Sequence, residues 1–180
     1  MEITVKDKRI NEISHLNYFQ IMNRLLVSPG RFFSEVLEFI PFTQALGFLI
    51  LSSLFFSLAE LSLLSHSYLI MSEIHFLNAL VMPLLSALIG YVLIKKGLRI
   101  AIGFKKLLTI YALSSGLTLL MAWVPLFLWI TEPWKWFLIG LGMVKGCNLS
   151  RSQALFVIAL SILLIILGCR SMNEVLLLFR

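Results

Sequence analysis

The sequence predicts an all-α polytopic membrane protein: five transmembrane helices preceded by a cytoplasmic amphipathic helix pair. Three observations predict it. Of 180 residues, 59% are apolar and only 13% charged, with a mean hydropathy of +0.96. A soluble domain carries about 25% charged residues, so this chain has too little charge to cover a water-facing surface of its size. The apolar residues fall into long runs, each bounded by charge. The 15 Lys and Arg residues are distributed unevenly between those runs. These features argue against a soluble enzyme, a disordered chain and a disulfide scaffold.

A bilayer core of about 30 Å needs about 20 helical residues. The segment before the first run, MEITVKDKRINEISH (1–15), is charged and is expected to be a flexible cytoplasmic lead rather than a cleavable signal. Residues 16–40 are apolar at helical spacing. Tyr18, Phe19, Met22, Leu25 and Leu26 are expected on one face, with Asn17, Gln20, Asn23 and Arg24 opposite. Ser28 and Pro29 read as an N-cap and a first-turn proline. The second helix then places Phe32, Phe33, Val36, Leu37 and Ile40 against Arg31, Ser34, Glu35 and Glu38. Ahead of a membrane bundle such faces are expected to lie in the interface, and Phe32, Phe33 and Leu37 form a candidate docking face for a protein partner.

The five spans are expected within 41–170, with a short tail over 171–180. The first opens after Pro41 and continues past Glu60 to about Leu64. The second runs from His75 to Ile94, and the third from Lys105-Lys106 to about Ile130. The fourth starts at Trp134 and ends near Lys145, a short run unless Pro125 ends the third helix early. The fifth extends from Ser152 to Gly168.

Lys and Arg accumulate in cytoplasmic loops. Five of them precede Pro41 (Lys6, Lys8, Arg9, Arg24, Arg31), and five lie between spans two and three (Lys95, Lys96, Arg99, Lys105, Lys106). Lys145 and Arg151 lie between spans four and five. Only Lys135, Arg170 and Arg180 fall on the other side, so the asymmetry is twelve to three. The N-terminus is therefore expected in the cytoplasm and the C-terminus across the membrane. The net charge of +6 then reads as a topology signal, also suited to anionic lipid, and no nucleic-acid partner is expected. Cys147 and Cys169 fall at opposite membrane faces, too far apart for a disulfide.

Glu60 is the one carboxylate inside an expected span. Buried carboxylates are costly in lipid and point to function. Ser53, Ser57 and Glu60 follow one another at helical spacing, and His75 opens span two at the same level, so a Glu60–His75 contact near the outer surface is expected. Alternatives for Glu60 are a snorkelling side chain, an interhelical hydrogen bond or part of an ion path. Gly142 and Gly146, with Gly140 nearby, permit close helix approach within the bundle or across a dimer. No Walker loop, HExxH or CxxC occurs, and no metal or cofactor is expected.

Four pieces recur in one order: Leu25-Leu26-Val27-Ser28-Pro29-Gly30-Arg31-Phe32-Phe33, Tyr111-Ala112-Leu113-Ser114-Ser115, Trp136 through Ile139-Gly140-Leu141, and Ser150 to Ala154. In that order, over about residues 20–170, the chain resembles the Yip family of Ypt/Rab-interacting multispan membrane proteins. The resemblance implies five helices, a cytoplasmic N-terminus and a non-enzymatic role through helix packing and partner binding, in membrane organisation or trafficking. Eukaryotic members bind Rab-type GTPases and have longer cytoplasmic N-termini with an Asp-Leu-x-Gly-Pro stretch. That stretch is absent here, so the resemblance implies a prokaryotic-type member in a bacterial inner or archaeal plasma membrane. Protein partners or a homo-oligomer are expected on this reading. The alternative expectation is a small transporter or channel subunit built on Glu60 and its polar neighbours.

Overall fold

The computed structural model describes residues 17–63, 69–122 and 127–178, without the side chains of 63, 69–72, 128 and 169–178. The expected flexible lead over 1–15 lies outside the described residues, as do 16, 64–68, 123–126 and 179–180. All regular structure among the described residues is helical.

The entry helix α1 (Tyr18–Val27) is opened by Gln20, whose Oε1 accepts the Asn17 N–H at 3.1 Å. It buries Ile21 and Leu25, one turn apart, while Phe19 is exposed. The buried stripe is therefore shifted from the one expected around Tyr18 and Phe19. Packing settles the rotation: the Tyr18 ring lies 6.1 Å from that of Phe48 and so stays at the edge of the interface.

The second entry helix is broken into single turns. An α-turn (Pro29–Arg31) leads into a π-turn (Phe32–Val36) and a 3-10 turn (Leu37–Phe39). Pro29 starts it as expected, but the Ser28 side chain makes no cap hydrogen bond. Phe32, Phe33, Val36, Leu37 and Ile40 are all buried, whereas Arg31, Ser34, Glu35 and Glu38 are exposed. The face is the one the spacing gives. Its cover is different: these side chains form one core cluster with Ile110, Leu113 and Leu138 of the bundle.

Five longer helices follow: α2 (Phe42–Leu63), α3 (Leu69–Val92), α4 (Phe104–Ala122), α5 (Leu128–Gly146) and α6 (Arg151–Leu178). Helix α4 is the axle. Every residue from Leu107 to Thr118 is buried, because α2, α3 and α5 all pack on it. A helix surrounded on all sides has no outward face and needs no amphipathic stripe. Ser114, Ser115, Gly116 and Thr118 keep it slim enough for its neighbours to approach. The outer helices are the reverse. Large apolar side chains stand exposed on α2 (Leu54, Phe55, Leu58), α3 (Leu77, Leu85, Leu88), α5 (Trp129, Ile130, Phe137) and α6 (Phe156, Leu163, Ile166). So much exposed apolar surface does not suit a soluble monomer.

Three stretches are long and apolar enough to cross a membrane, Phe42–Ser62, Glu73–Gly97 and Arg151–Gly168, and each turns most of its surface outward. They mark a membrane protein. Helices α4 and α5 fall outside this group because of polar and charged residues: Lys105 and Lys106 with small polar residues in α4, and Glu132, Lys135 and Lys145 in α5. Each has 19 residues, which at 1.5 Å per residue is about 28 Å.

Several boundaries differ from expectation. Helix α3 starts at Leu69, ahead of His75, and α4 ends at Ala122, short of Ile130, which belongs to α5. Helix α5 starts at Leu128, not Trp134, so the fourth apolar run belongs to a full-length helix. Pro133 sits within its first two turns, where the missing N–H frees only the Trp129 carbonyl near the helix end. Helix α6 continues to Leu178 through the expected tail, since 169–178 contains no proline or glycine to stop it.

The basic residues gather at one end. A π-turn (Leu93–Gly97) carries Lys95 and Lys96, and Lys95 Nζ donates to the Tyr91 hydroxyl at 3.1 Å. Lys106 reaches back to Glu38 at 3.1 Å, tying the entry segment to α4. Cys147 is a half-buried free thiol at this end. Burial pushes it above the ordinary thiol range, and Lys106 acts in the opposite sense.

Asn148 ends α5 in the left-handed region at φ 56°, which lets the Leu149 N–H donate to the Met143 carbonyl at 3.2 Å. Asparagine tolerates this conformation, and β-branched residues do not. Asn148→Val is expected to lower stability by about 1 to 2 kcal/mol, and Asn148→Gly to leave it nearly unchanged. Thermal unfolding of the two variants in detergent checks this, and equal melting temperatures would refute it.

Candidate functional site: a polar vestibule

Opposite the basic end, the five bundle helices enclose a cavity of about 400 Å³. Its mouth is set by helix ends. Glu60 lies in the last turn of α2, Ala122 closes α4, and Thr131, Glu132 and Lys135 stand in the first turns of α5. Its floor is Tyr111, eleven residues below Ala122 on α4. That depth is about 16 Å along the helix axis, or about half a bilayer core.

A histidine–carboxylate contact and a salt bridge flank the mouth. Glu60 Oε2 lies 2.6 Å from His75 Nδ1, with both side chains partly exposed. One turn of α5 pairs Lys135 Nζ with Glu132 Oε2 at 2.6 Å, and the same ammonium sits 5.5 Å from the Trp136 ring centroid. The structure thus brings together Glu60 and His75, two residues singled out from spacing alone.

Below the mouth the wall alternates hydroxyls and apolar groups. Ser86 Oγ donates to the Met82 carbonyl at 2.8 Å, and Thr118 Oγ1 donates to the Ser115 carbonyl at 3.0 Å. These bonds consume hydroxyl protons in the helices themselves. Pro83 also lines the cavity, and so does Ala79, one turn before it. Because proline has no N–H, the Ala79 carbonyl lacks its helical donor.

The Tyr111 hydroxyl is buried, close to Ser161 of α6 but outside hydrogen-bonding geometry with it. Unmet buried polar groups are costly, and two from neighbouring helices mark a loosely satisfied seam beneath the vestibule.

The other residues singled out from sequence lie elsewhere. Ser53 and Ser57 are buried but do not line the cavity, and Ser53 Oγ donates to the Leu49 carbonyl at 2.8 Å. The expected polar stripe therefore reaches the site only at Glu60. Phe32, Phe33 and Leu37 are 1%, 1% and 3% exposed, so the expected docking face is not a free surface; the bundle itself covers it. Gly142 and Gly146 explain how. A Cβ on Gly142 would collide with Ile110, and one on Gly146 would stand 2.5 Å from Leu37 Cδ2. Gly140 faces Ile158 of α6. These glycines let α5 close on α4, α6 and the entry segment within one chain.

Spacing did not reveal Asn78, Ser86, Ser115, Thr118 and Thr131 as a group. Their convergence depends on the rotation of three helices, which no single run encodes. No group of three His, Cys, Asp or Glu among the described residues is placed to hold a metal ion.

No protein-family model matches the chain, and neither a curated protein nor a solved structure matches it.

Proposed function

We propose that this chain is a non-enzymatic, five-span integral membrane protein, Yip-like in layout, that admits a small polar solute into the vestibule as a transporter or channel subunit. The N-terminus and the basic end lie in the cytoplasm, and the vestibule opens on the opposite side. The single observation carrying the solute-binding reading is the cavity itself: a half-bilayer-deep chamber, mostly apolar with a few polar groups, with a histidine–carboxylate contact and a salt bridge at its mouth. Cavities of this size, mostly apolar with a few convergent polar groups, suit small ligands. The orientation rests on the twelve-to-three bias of Lys and Arg.

Purified protein in liposomes tests the reading with a panel of radiolabelled small cations, anions, zwitterions and neutral solutes. Saturable binding of at least one is expected. Ala79→Phe, which puts a ring into the chamber, is expected to weaken it at least tenfold while the thermal transition persists. Absence of saturable binding across the panel would overturn the proposal.

A second reading, helix-mediated assembly with a protein partner, is favoured by the exposed cations Lys96, Arg99 and Lys105 at the basic end. On that reading the partner presents acidic groups to the basic end, since the Phe32–Leu37 face is already covered. Crosslinking through Lys105→Cys in native membranes, followed by identification of the adduct, distinguishes the two readings.

A further inference from the structure

We infer that the solute taken by the vestibule is an organic monocation of the ammonium type; this rests on the solute-binding reading above. Two counts point there. Among Glu60, Glu132 and Lys135 carboxylates outnumber ammonium groups two to one, and the His75 ring contacts Glu60 at 2.6 Å. Lys135 is already held by Glu132 at 2.6 Å and is not free to receive an anion.

The second count is of hydrogen-bonding capacity. Ser86 and Thr118 spend their protons on backbone carbonyls, so they turn lone pairs toward a guest. The Ala79 carbonyl, deprived of its donor by Pro83, adds a further acceptor. An ammonium group brings donors and no acceptor, complementing these three acceptors, whereas a carboxylate brings only acceptors and is matched instead by the donors of Asn78 and Tyr111. Phe56 and Trp136 contribute aromatic surface, and ring faces attract cations rather than anions.

The probes are three solutes of one chain length, n-butylammonium, n-butyramide and n-butyrate, titrated calorimetrically onto the full chain in lipid nanodiscs. Butylammonium is expected to bind at least tenfold more tightly than the other two. Glu60→Gln and, separately, Glu132→Gln at the more exposed side of the mouth are each expected to weaken it at least fivefold, with Glu60→Asp closer to wild type. Tighter binding of butyrate or butyramide would overturn the inference and leave the solute-binding reading standing. If none of the three binds while another class from the liposome panel does, the inference likewise fails alone. If no solute of any class binds, both fail.

Discussion

Gly142→Leu is expected to dismantle the bundle at its tightest crossing. Even a single Cβ at this position collides with Ile110 in the buried middle of α4, and Phe33 closes the same space from the entry segment, with its Cδ1 at 3.3 Å. None of these neighbours has free volume to retreat into, because Ile110 and Phe33 are 0% and 1% exposed. Overpacking a core by a few methylene groups costs about 1 to 3 kcal/mol, and a leucine at a backbone-close crossing belongs at or above the top of that range. The expected readout is loss of the monodisperse peak in detergent together with a lower melting temperature. Ile110→Ala in the same chain is expected to restore part of it, since it removes the colliding atoms. If Gly142 instead served contact between two copies of the chain, Gly142→Leu would give a stable monomer. That result would contradict the packing account.

Phe33→Ala is expected to be a stability defect. Phe33 packs edge-on against Phe32, with ring centroids 5.5 Å apart and planes at 84°, and both sit in the cluster with Ile110 and Leu138. Truncating a buried phenylalanine costs about 3 to 5 kcal/mol through lost transfer energy and the cavity left behind. Phe32→Ala should cost a similar amount. The two losses should not add, because the rings share neighbours. Denaturation followed by tryptophan fluorescence checks both variants. A folded Phe33→Ala protein with unchanged stability would show that the entry segment is not part of the core, and would reopen its face as a docking surface.

Both expectations show where the sequence was legible. The apolar spacing from Phe32 to Ile40 identified the buried face residue by residue. Amphipathicity, however, specifies a face and not the surface that covers it. Lipid, a partner and the rest of the chain all satisfy the same pattern. The missing signal was on the far side of the contact, in Gly142 and Gly146, whose spacing permits close approach without naming what approaches. The expected start of α5 at Trp134 was late for a related reason. Glu132 and Pro133 look like a boundary when charge-free length is the criterion, yet an early proline removes one terminal hydrogen bond and leaves the helix intact.

The site was legible in part. Glu60 and His75 met because both sit near the same ends of consecutive antiparallel helices, a placement that loop order alone fixes. Ser86, Ser115 and Thr118 were visible as polar residues within apolar runs, but their joint role depends on how α3 and α4 are rotated. Ser53 and Ser57 show the limit of the reasoning: they share a helical stripe with Glu60, yet they are buried away from the cavity.

The central claim is that α5, which carries Glu132, Lys135 and Lys145, crosses the membrane with the vestibule mouth outside and the basic end inside. Single cysteines at its two ends test this in a background lacking Cys147 and Cys169. Glu132→Cys stands at the mouth, and Lys145→Cys at the opposite end. A membrane-impermeant maleimide is expected to label Glu132→Cys in intact cells only, and Lys145→Cys in inverted membrane vesicles only. Labelling of both from the same face would place both ends of α5 on one side of the membrane and contradict the five-span account.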